Sequence, residues 1–278
     1  MVELTQSSLS GVFVRRGGGY TPNALALLTQ RYDLVIVNSG IDSPEQAIKL
    51  AEYSCGEAGD SPWSQVWEEV WPRFIAGLLE KLNEYNRRTP VWGCVLIGGR
   101  SSRMGLPKHL LRDGRGKTWL ENTITVLHPL LDGVVVSGAG ILPAAVAATL
   151  RLPDIPGVVG PLTGILAAGR WQPLVSWLLV ACDMPHVSVE AVNWLLAGRR
   201  PGCWGRVPKF SGNDRLEPLL AWYDFRAIHL FEEQLYTGTM RIGEAAGDMR
   251  IDHPTIPEEL GYSWENVNTP EQLKNGRR

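Results

Sequence analysis

The 278-residue sequence has no charge excess of either sign. Lys and Arg number 27 against 29 Asp and Glu, a formal net charge of −2. A general nucleic-acid binder is usually basic, so that class is disfavoured, although a local basic pocket for phosphates is not. No two of the four cysteines, Cys55, Cys94, Cys182 and Cys203, form a C-x-x-C pair. This excludes a zinc ribbon and a thioredoxin motif. Cys94 and Cys182 lie inside apolar runs and read as small core residues; scattered thiols fit a reducing compartment. The five histidines, His109, His128, His186, His229 and His253, show no metal-ligand spacing. Long apolar runs are lacking too: stretches such as Trp177 to Cys182 are far too short to cross a bilayer. The opening MVELTQSSLSG has no basic segment leading into an apolar one, so no signal peptide is expected and a cytoplasmic location is. Internal repeats and low-complexity tracts are missing. What is present is ordinary for a globular protein, 44% hydrophobic and 20% charged residues, so a core can form without staples.

Two regions separate by pattern. Residues 1–88 read as a small α/β region. Gly11 to Arg15 and the apolar, β-branched run Leu34 to Val37 are strand candidates. Thr21 with Pro22, and Ser43 before Pro44 to Tyr53, open helices. From Trp63 to Leu82 the apolar residues recur in three- and four-residue steps, with Pro72 inside as a kink or restart. The tryptophans on that stripe fit packing onto a neighbouring domain better than a ligand box or a partner surface. Asn86 to Pro90 is polar and proline-ended, a linker signal.

Residues 91–278 alternate strands and helices. Strands are expected at Val91–Ile97, Val134–Ser137, Val175–Ala181 and Leu216–Tyr223. Helices are expected at Thr118–Leu131, Pro143–Leu150, Thr163–Ala168, Val189–Leu196 and Phe225–Leu235, and near Gln272. This is an α/β class with a mostly parallel sheet covered on both faces, in which ligands collect at the carboxyl ends of the strands.

The most informative stretch is V-L-I-G-G-R-S-S-R-M-G-L-P-K-H-L-L, Val95 to Leu111. An apolar strand opens directly into Gly98-Gly99, where the backbone can approach a ligand and aim N–H groups at an anion. Arg100, Arg103 and Lys108 place cations beside it, as a triphosphate requires. A purely structural turn is the competing reading. The spacing is neither a Walker A loop nor G-x-G-x-x-G. Asp113 to Lys117 reads as a turn. Downstream, L-L-V-A-C-D-M-P ends an apolar strand at Asp183. That carboxylate is equally a magnesium ligand or a structural group, and Ser188 is the better cap for the following helix. Asp154-Ile155-Pro156-Gly157 and the following G-P-L-T-G deliver a helix N-terminus, where free N–H groups can meet an anion; Asp154 itself can also be a solvated loop carboxylate.

The L-I-G-G-R-S-S-R-M-G-L-P-K stretch resembles the signature loop of the MobA-like nucleotidyltransferases, which include the molybdenum cofactor guanylyltransferases and their cytidylyl counterparts; more distantly it resembles the loop of sugar-phosphate nucleotidylyltransferases. C-D-M-P, the G-P-L-T-G segment, Glu217-Pro218-Leu219-Leu220-Ala221 and Asn266-Val267-Asn268-Thr269-Pro270 resemble further family segments in the same order, so the likeness spans about residues 91–275. It implies a Rossmann-like three-layer nucleotide-diphosphosugar transferase fold. It implies that Leu96, Ile97 and Gly98 meet base and ribose through the backbone, and that Gly99, Arg103 and Lys108 handle the phosphates. Asp154 becomes a nucleotide contact and Asp183 the Mg²⁺ aspartate. Asn268 is either a metal or phosphate contact or, equally, a helix cap with Thr269. Ser137 stands where the guanylyl pattern has an asparagine, which leaves base choice open. His186 is read as a surface residue in preference to a phosphate contact.

The expected reaction is magnesium-dependent transfer of GMP from GTP to the terminal phosphate of molybdopterin, with release of pyrophosphate. Lys108, Arg103 and Asp183 are the catalytic candidates, and other proteins of molybdenum cofactor assembly are candidate partners. The rival readings are CTP in place of GTP, a sugar-phosphate acceptor, or a nucleotide-binding regulatory module. Residues 32 to 37 (Y-D-L-V-I-V) faintly resemble part of the MobB-type GTP-binding proteins, but no phosphate loop accompanies them, so residues 1–88 read as a docking platform or a remnant.

Overall fold

A computed structural model describes residues 11–15, 34–38, 80, 83–98, 107–212 and 214–267. The chain divides into two compact units, Met1–Arg88 with Arg200–Cys203, and Thr89–Arg199 with Trp204–Arg278. In the first, β1 (Gly11–Arg15) and β2 (Leu34–Asn38) pair in parallel, Gly11 opposite Leu34 and Arg15 opposite Asn38. These are the two strands expected from the sequence. The helices expected from Thr21 and Pro44, and the tryptophan stripe up to Leu82 apart from Glu80, lie outside the described residues. Residues 83–88 are helical, so the expected linker at Asn86 begins as helix. A Glu84–Arg88 ion pair one turn apart supports that helix, and Pro90 disfavours helical backbone at Thr89, where it stops.

The second unit carries a seven-stranded sheet of order β5-β4-β3-β6-β8-β7-β9. Its strands are β3 (Val91–Leu96), β4 (Gly133–Ser137), β5 (Leu150–Leu152), β6 (Ser176–Ala181), β7 (Gly205–Arg206), β8 (Ala221–Tyr223) and β9 (Ile251–Asp252). The β5-β4-β3-β6 half is parallel throughout. β8 runs antiparallel to both β6 and β7, and β9 returns parallel to β7. The expectation of a mostly parallel sheet therefore holds, with an antiparallel excursion beyond β6. β6 is buried at every position, as a strand covered on both faces must be.

Helices α1 (Trp119–Leu127), α2 (Pro161–Trp171), α3 (Val189–Leu196), α4 (Ile228–Tyr236) and α5 (Ile242–Ala246) cover the sheet. α1 starts at a capping box, the Thr118 hydroxyl accepting from Glu121 N–H and the Glu121 carboxylate from Thr118 N–H. Ser188 caps α3 as expected, its Oγ accepting from Ala191 N–H at 3.2 Å. Leu162, Ile165, Leu166, Trp177, Leu179, Tyr223 and Phe231 are fully or nearly fully buried in one core between sheet and helices.

Two expectations are corrected. Residues 143–150 do not form a helix. Only a 3-10 turn, Ala144–Val146, appears, and Leu150 already belongs to β5. The alanine-rich run favours helix locally, but Leu150 and Leu152 gain a partner by pairing with Val135 and Ser137, and sheet pairing wins. The expected strand Leu216–Tyr223 is regular only at Ala221–Tyr223; Leu216 makes an isolated bridge to Lys209. Among the described residues, no helix is long and apolar enough to cross a membrane.

Candidate active site

The parallel strands β3, β4 and β6 end at one edge of the sheet, and the sequence-selected residues gather there. Leu96 ends β3, opposite Ser137 of β4 and Ala181 of β6. The pairing runs one step further on each side. Ile97 N–H donates to Ser137 O at 2.8 Å, and Cys182 N–H donates to Leu96 O at 3.0 Å. Ile97 is consequently buried while Gly98, the next residue, is exposed. Gly99, Arg100 and Arg103, the rest of the expected phosphate loop, lie outside the described residues, as does Asn268.

The chain re-enters at Pro107, and Lys108 opens a 3-10 turn, Lys108–Leu110. Its Nζ donates to Asp183 Oδ2 at 3.0 Å. Asp183 stands two residues past β6, and its own carbonyl accepts from Val267 N–H at 2.9 Å. Val267 is thus tied to the backbone of Asp183. Both side chains of the pair keep partial access to solvent, 16% for Lys108 and 26% for Asp183.

Below this edge, Cys182 is buried. Burial first, and the neighbouring Asp183 charge second, push its thiol up to about 11. It is a packing residue, as the apolar run suggested, and not a nucleophile.

On the other flank, β4 leads into Ser137-Gly138-Ala139-Gly140-Ile141. Ser137 is 1% exposed, and its hydroxyl has no hydrogen-bond partner among the described residues. α2 passes it closely: a Cβ at Gly164 would lie 3.1 Å from Ser137 Oγ and 2.4 Å from Leu96 Cδ2. Gly138 has φ +119°, and a Cβ there would lie 1.6 Å from the Ile97 carbonyl oxygen. Only glycine fits at that approach. Asp154 follows β5 by two residues, exposed, on the same edge of the sheet; the adjacent Ile155 N–H donates to Thr163 Oγ1 of α2 at 2.6 Å. His186 lies one turn past Asp183, half-buried and stacked on Tyr262 with ring centroids 4.0 Å apart.

The structure therefore brings Leu96, Ile97, Gly98, Lys108, Ser137 and Asp183 to one edge, with Asp154 beyond β4. Two side chains there were not singled out by the sequence. His109 is buried behind Lys108, and its Nε2 lies 3.0 Å from Ile141 O. Arg151, on β5, donates from Nε to Gly138 O at 2.9 Å and from Nη1 to Gly140 O at 2.8 Å. Neither belongs to a periodic or motif pattern; the partners that give them meaning are backbone carbonyls remote in sequence.

Among the described residues, no cluster of three or more His, Cys, Asp or Glu side chains could cage a metal ion. The donor chemistry is a single carboxylate at a strand end. That suits a hard cation that keeps its waters and takes its remaining oxygens from phosphates.

The family follows from comparison with known proteins. Residues 93–245 match the model of the MobA-like NTP transferase domain. A probable molybdenum cofactor guanylyltransferase of Pelotomaculum thermopropionicum is 32% identical over 193 residues, 66% of this chain and 91% of the relative. The molybdenum cofactor guanylyltransferase of Rhizobium meliloti is 33% identical over 196 residues, 65% of this chain and 87% of the relative. Among solved structures, molybdopterin-guanine dinucleotide biosynthesis protein A of Archaeoglobus fulgidus is 27% identical with a TM-score of 0.52, covering 66% of this chain and 95% of its own. On the match to the family model and on these relatives, the chain belongs to the MobA-like NTP transferases.

Proposed function

We propose that the chain is a molybdenum cofactor guanylyltransferase, which transfers GMP from GTP to the terminal phosphate of molybdopterin. The observation that carries the reading is the juxtaposition of Lys108 and Asp183, 3.0 Å apart at the carboxyl edge of β3 and β6, in a chain whose relatives bear that name. Residues 91–278 are the transferase part, and residues 1–88 a separate region.

The nucleotide lies over the end of β3, its base and ribose against the backbone of Leu96, Ile97 and Gly98 and its phosphates toward Gly99, Arg103 and Lys108. Asp154 contacts the nucleoside from the β5 side. Ser137 is buried against α2, with no hydrogen-bond partner for its hydroxyl among the described residues, so it shapes the floor beneath the nucleoside and does not meet it from the open side. A phosphate oxygen of molybdopterin attacks the α-phosphorus in line. The bond from that phosphorus to the bridging oxygen breaks, and pyrophosphate leaves with the electron pair. The acceptor is already an anion at neutral pH, so no general base is required. Lys108 and Arg103 stabilise charge around the α-phosphate, and the rest of catalysis is positioning. Asp183 is the residue that would hold Mg²⁺, and Asn268, which follows Val267 in the sequence, is the second candidate the family resemblance supplies. Once bound, that ion neutralises the triphosphate and the departing pyrophosphate.

Calorimetry of GTP and CTP with the purified chain in magnesium, followed by pyrophosphate release with molybdopterin, tests the reading. A preference for GTP with turnover supports it. A preference for CTP moves the chain to cytidylyl transfer, with Ser137 the first suspect. Turnover that survives Asp183→Ala would sink the metal assignment.

A further inference from the structure

The loop between β4 and β5 is held on both sides. Gly138 and Gly140 have φ of +119° and +148°. The loop carbonyls of Gly138 and Gly140 are engaged by Arg151, and that of Ile141 by His109. A carbonyl only accepts, so His109 carries its proton on Nε2. The imidazole is also the floor of the loop, since a Cβ at Gly140 would sit 2.9 Å from its Cε1. His109 itself belongs to the 3-10 turn that begins at Lys108. One buried ring thus joins two segments 32 residues apart. One ends at the cation facing Asp183; the other begins at the carbonyl of Ser137, which receives the Ile97 N–H at the end of β3.

We propose that His109 is a positioning residue that sets the nucleoside-side loop 138–141 and the phosphate-side Lys108 as one unit. The inference rests on the nucleotide lying over Ile97 and Gly98. His109 touches no substrate; it acts through the Ile141 carbonyl on one side and the Lys108 turn on the other. Burial holds the imidazole below its ordinary pKa against the opposing pull of the Ile141 hydrogen bond, with the Arg151 charge a smaller help, which keeps it a neutral donor. Arg151 is exposed and, among the described residues, its hydrogen bonds go to the loop, so the two anchors have different consequences. Loosening Arg151 frees the wall of the nucleoside site alone, whereas loosening His109 frees the wall and Lys108 together.

The test is pyrophosphate release at varied GTP for His109→Leu, His109→Gln and Arg151→Ala, with GTP affinity by calorimetry. Leucine keeps bulk and loses the donor; glutamine keeps an amide donor with similar reach. His109→Leu is expected to raise KM for GTP and lower kcat, each about ten-fold, the scale of one buried hydrogen bond. His109→Gln is expected to restore both to within about three-fold. Arg151→Ala is expected to raise KM with kcat unchanged. His109→Leu within about three-fold of the native chain in both constants overturns the inference, as does a glutamine variant no better than leucine. If His109→Leu does not fold, His109→Asn replaces it; its shorter amide falls short of Ile141, so full activity of that variant is equally fatal. A native chain that binds GTP without turnover removes the transfer reaction, and the affinity ratios then decide on His109. A native chain that binds no nucleoside triphosphate overturns both.

Discussion

Lys108 Nζ and Asp183 Oδ2 lie 3.0 Å apart across 75 residues of sequence. One side chain leaves a turn that follows the β3 loop, the other the end of β6. The pair is partly open to water, so its contribution to stability is small, about 0–1 kcal/mol. Its value is geometric: a cation and a carboxylate meet where triphosphate would lie, each able to exchange its partner for a ligand. Lys108→Met is expected to lower kcat about a hundred-fold, as loss of one charge-stabilising donor does. Its melting temperature should stay within a few degrees of the native value. Steady-state kinetics and thermal melting on the same preparation check this. Equal losses of stability and activity would mean that the lysine is structural.

The glycine after Ser137 makes a sharper claim about the site's wall. Gly138 combines a positive φ with an approach that leaves no room for a Cβ against Ile97 O. Gly138→Ala should therefore cost about 3 kcal/mol, from backbone strain and the displaced β3 end together. GTP binding should fall further than unfolding alone accounts for, because the displaced peptide is the one against which the proposed site sets the nucleoside. Denaturant melts and calorimetry below the transition separate the two effects.

Much of this site could be read from the chain because its chemistry is local. β3 and β6 announce themselves as short apolar runs, and the loop after β3 and the aspartate after β6 carry their residue types at fixed offsets. Ser188 is a cap by position alone. Other parts have no local signal. β7 and β9 are two residues each, too short for any period to show. β5 is a strand because β4 offers it an edge, against the helical preference of the alanines before it. His109 and Arg151 matter through carbonyls that only the folded chain brings near, and nothing in K-H-L-L or T-L-R-L marks them. The sequence-level error at residues 143–150 and the missed anchors share this cause: tertiary pairing decides both.

The buried imidazole also fixes a direction for acid sensitivity. Burial holds His109 below the ordinary histidine value in the folded chain, and the unfolded chain takes up the proton near pH 6.5. Between these values the unfolded state binds more protons, so stability is full above about pH 6.5 and falls as pH drops through and below it. His186, lowered by burial as well, adds to the same slope. His109→Gln should melt with a smaller difference between pH 7.5 and 5.5 than the native chain, while keeping part of the slope from His186. An unchanged pH difference would show that the ring is not buried in solution.

Cys182 reports on the packing of the strand edge. Its thiol is buried beneath the Lys108–Asp183 pair and raised to about 11, by burial first and the Asp183 charge next. At pH 8 the thiolate is therefore about one part in a thousand of the total, and reagent must reach it through a closed core. Iodoacetamide treatment of the native chain at pH 8, with peptide mapping, should leave Cys182 unlabelled, and labelling should become complete in denaturant. Asp183→Ala removes the negative neighbour without removing the burial. It should lower the thiol only slightly, and Cys182 should stay protected. Rapid labelling in that variant would mean that the carboxylate and its lysine hold the edge shut. The pair would then be structural, and the small stability cost expected for Lys108→Met would have to be wrong as well.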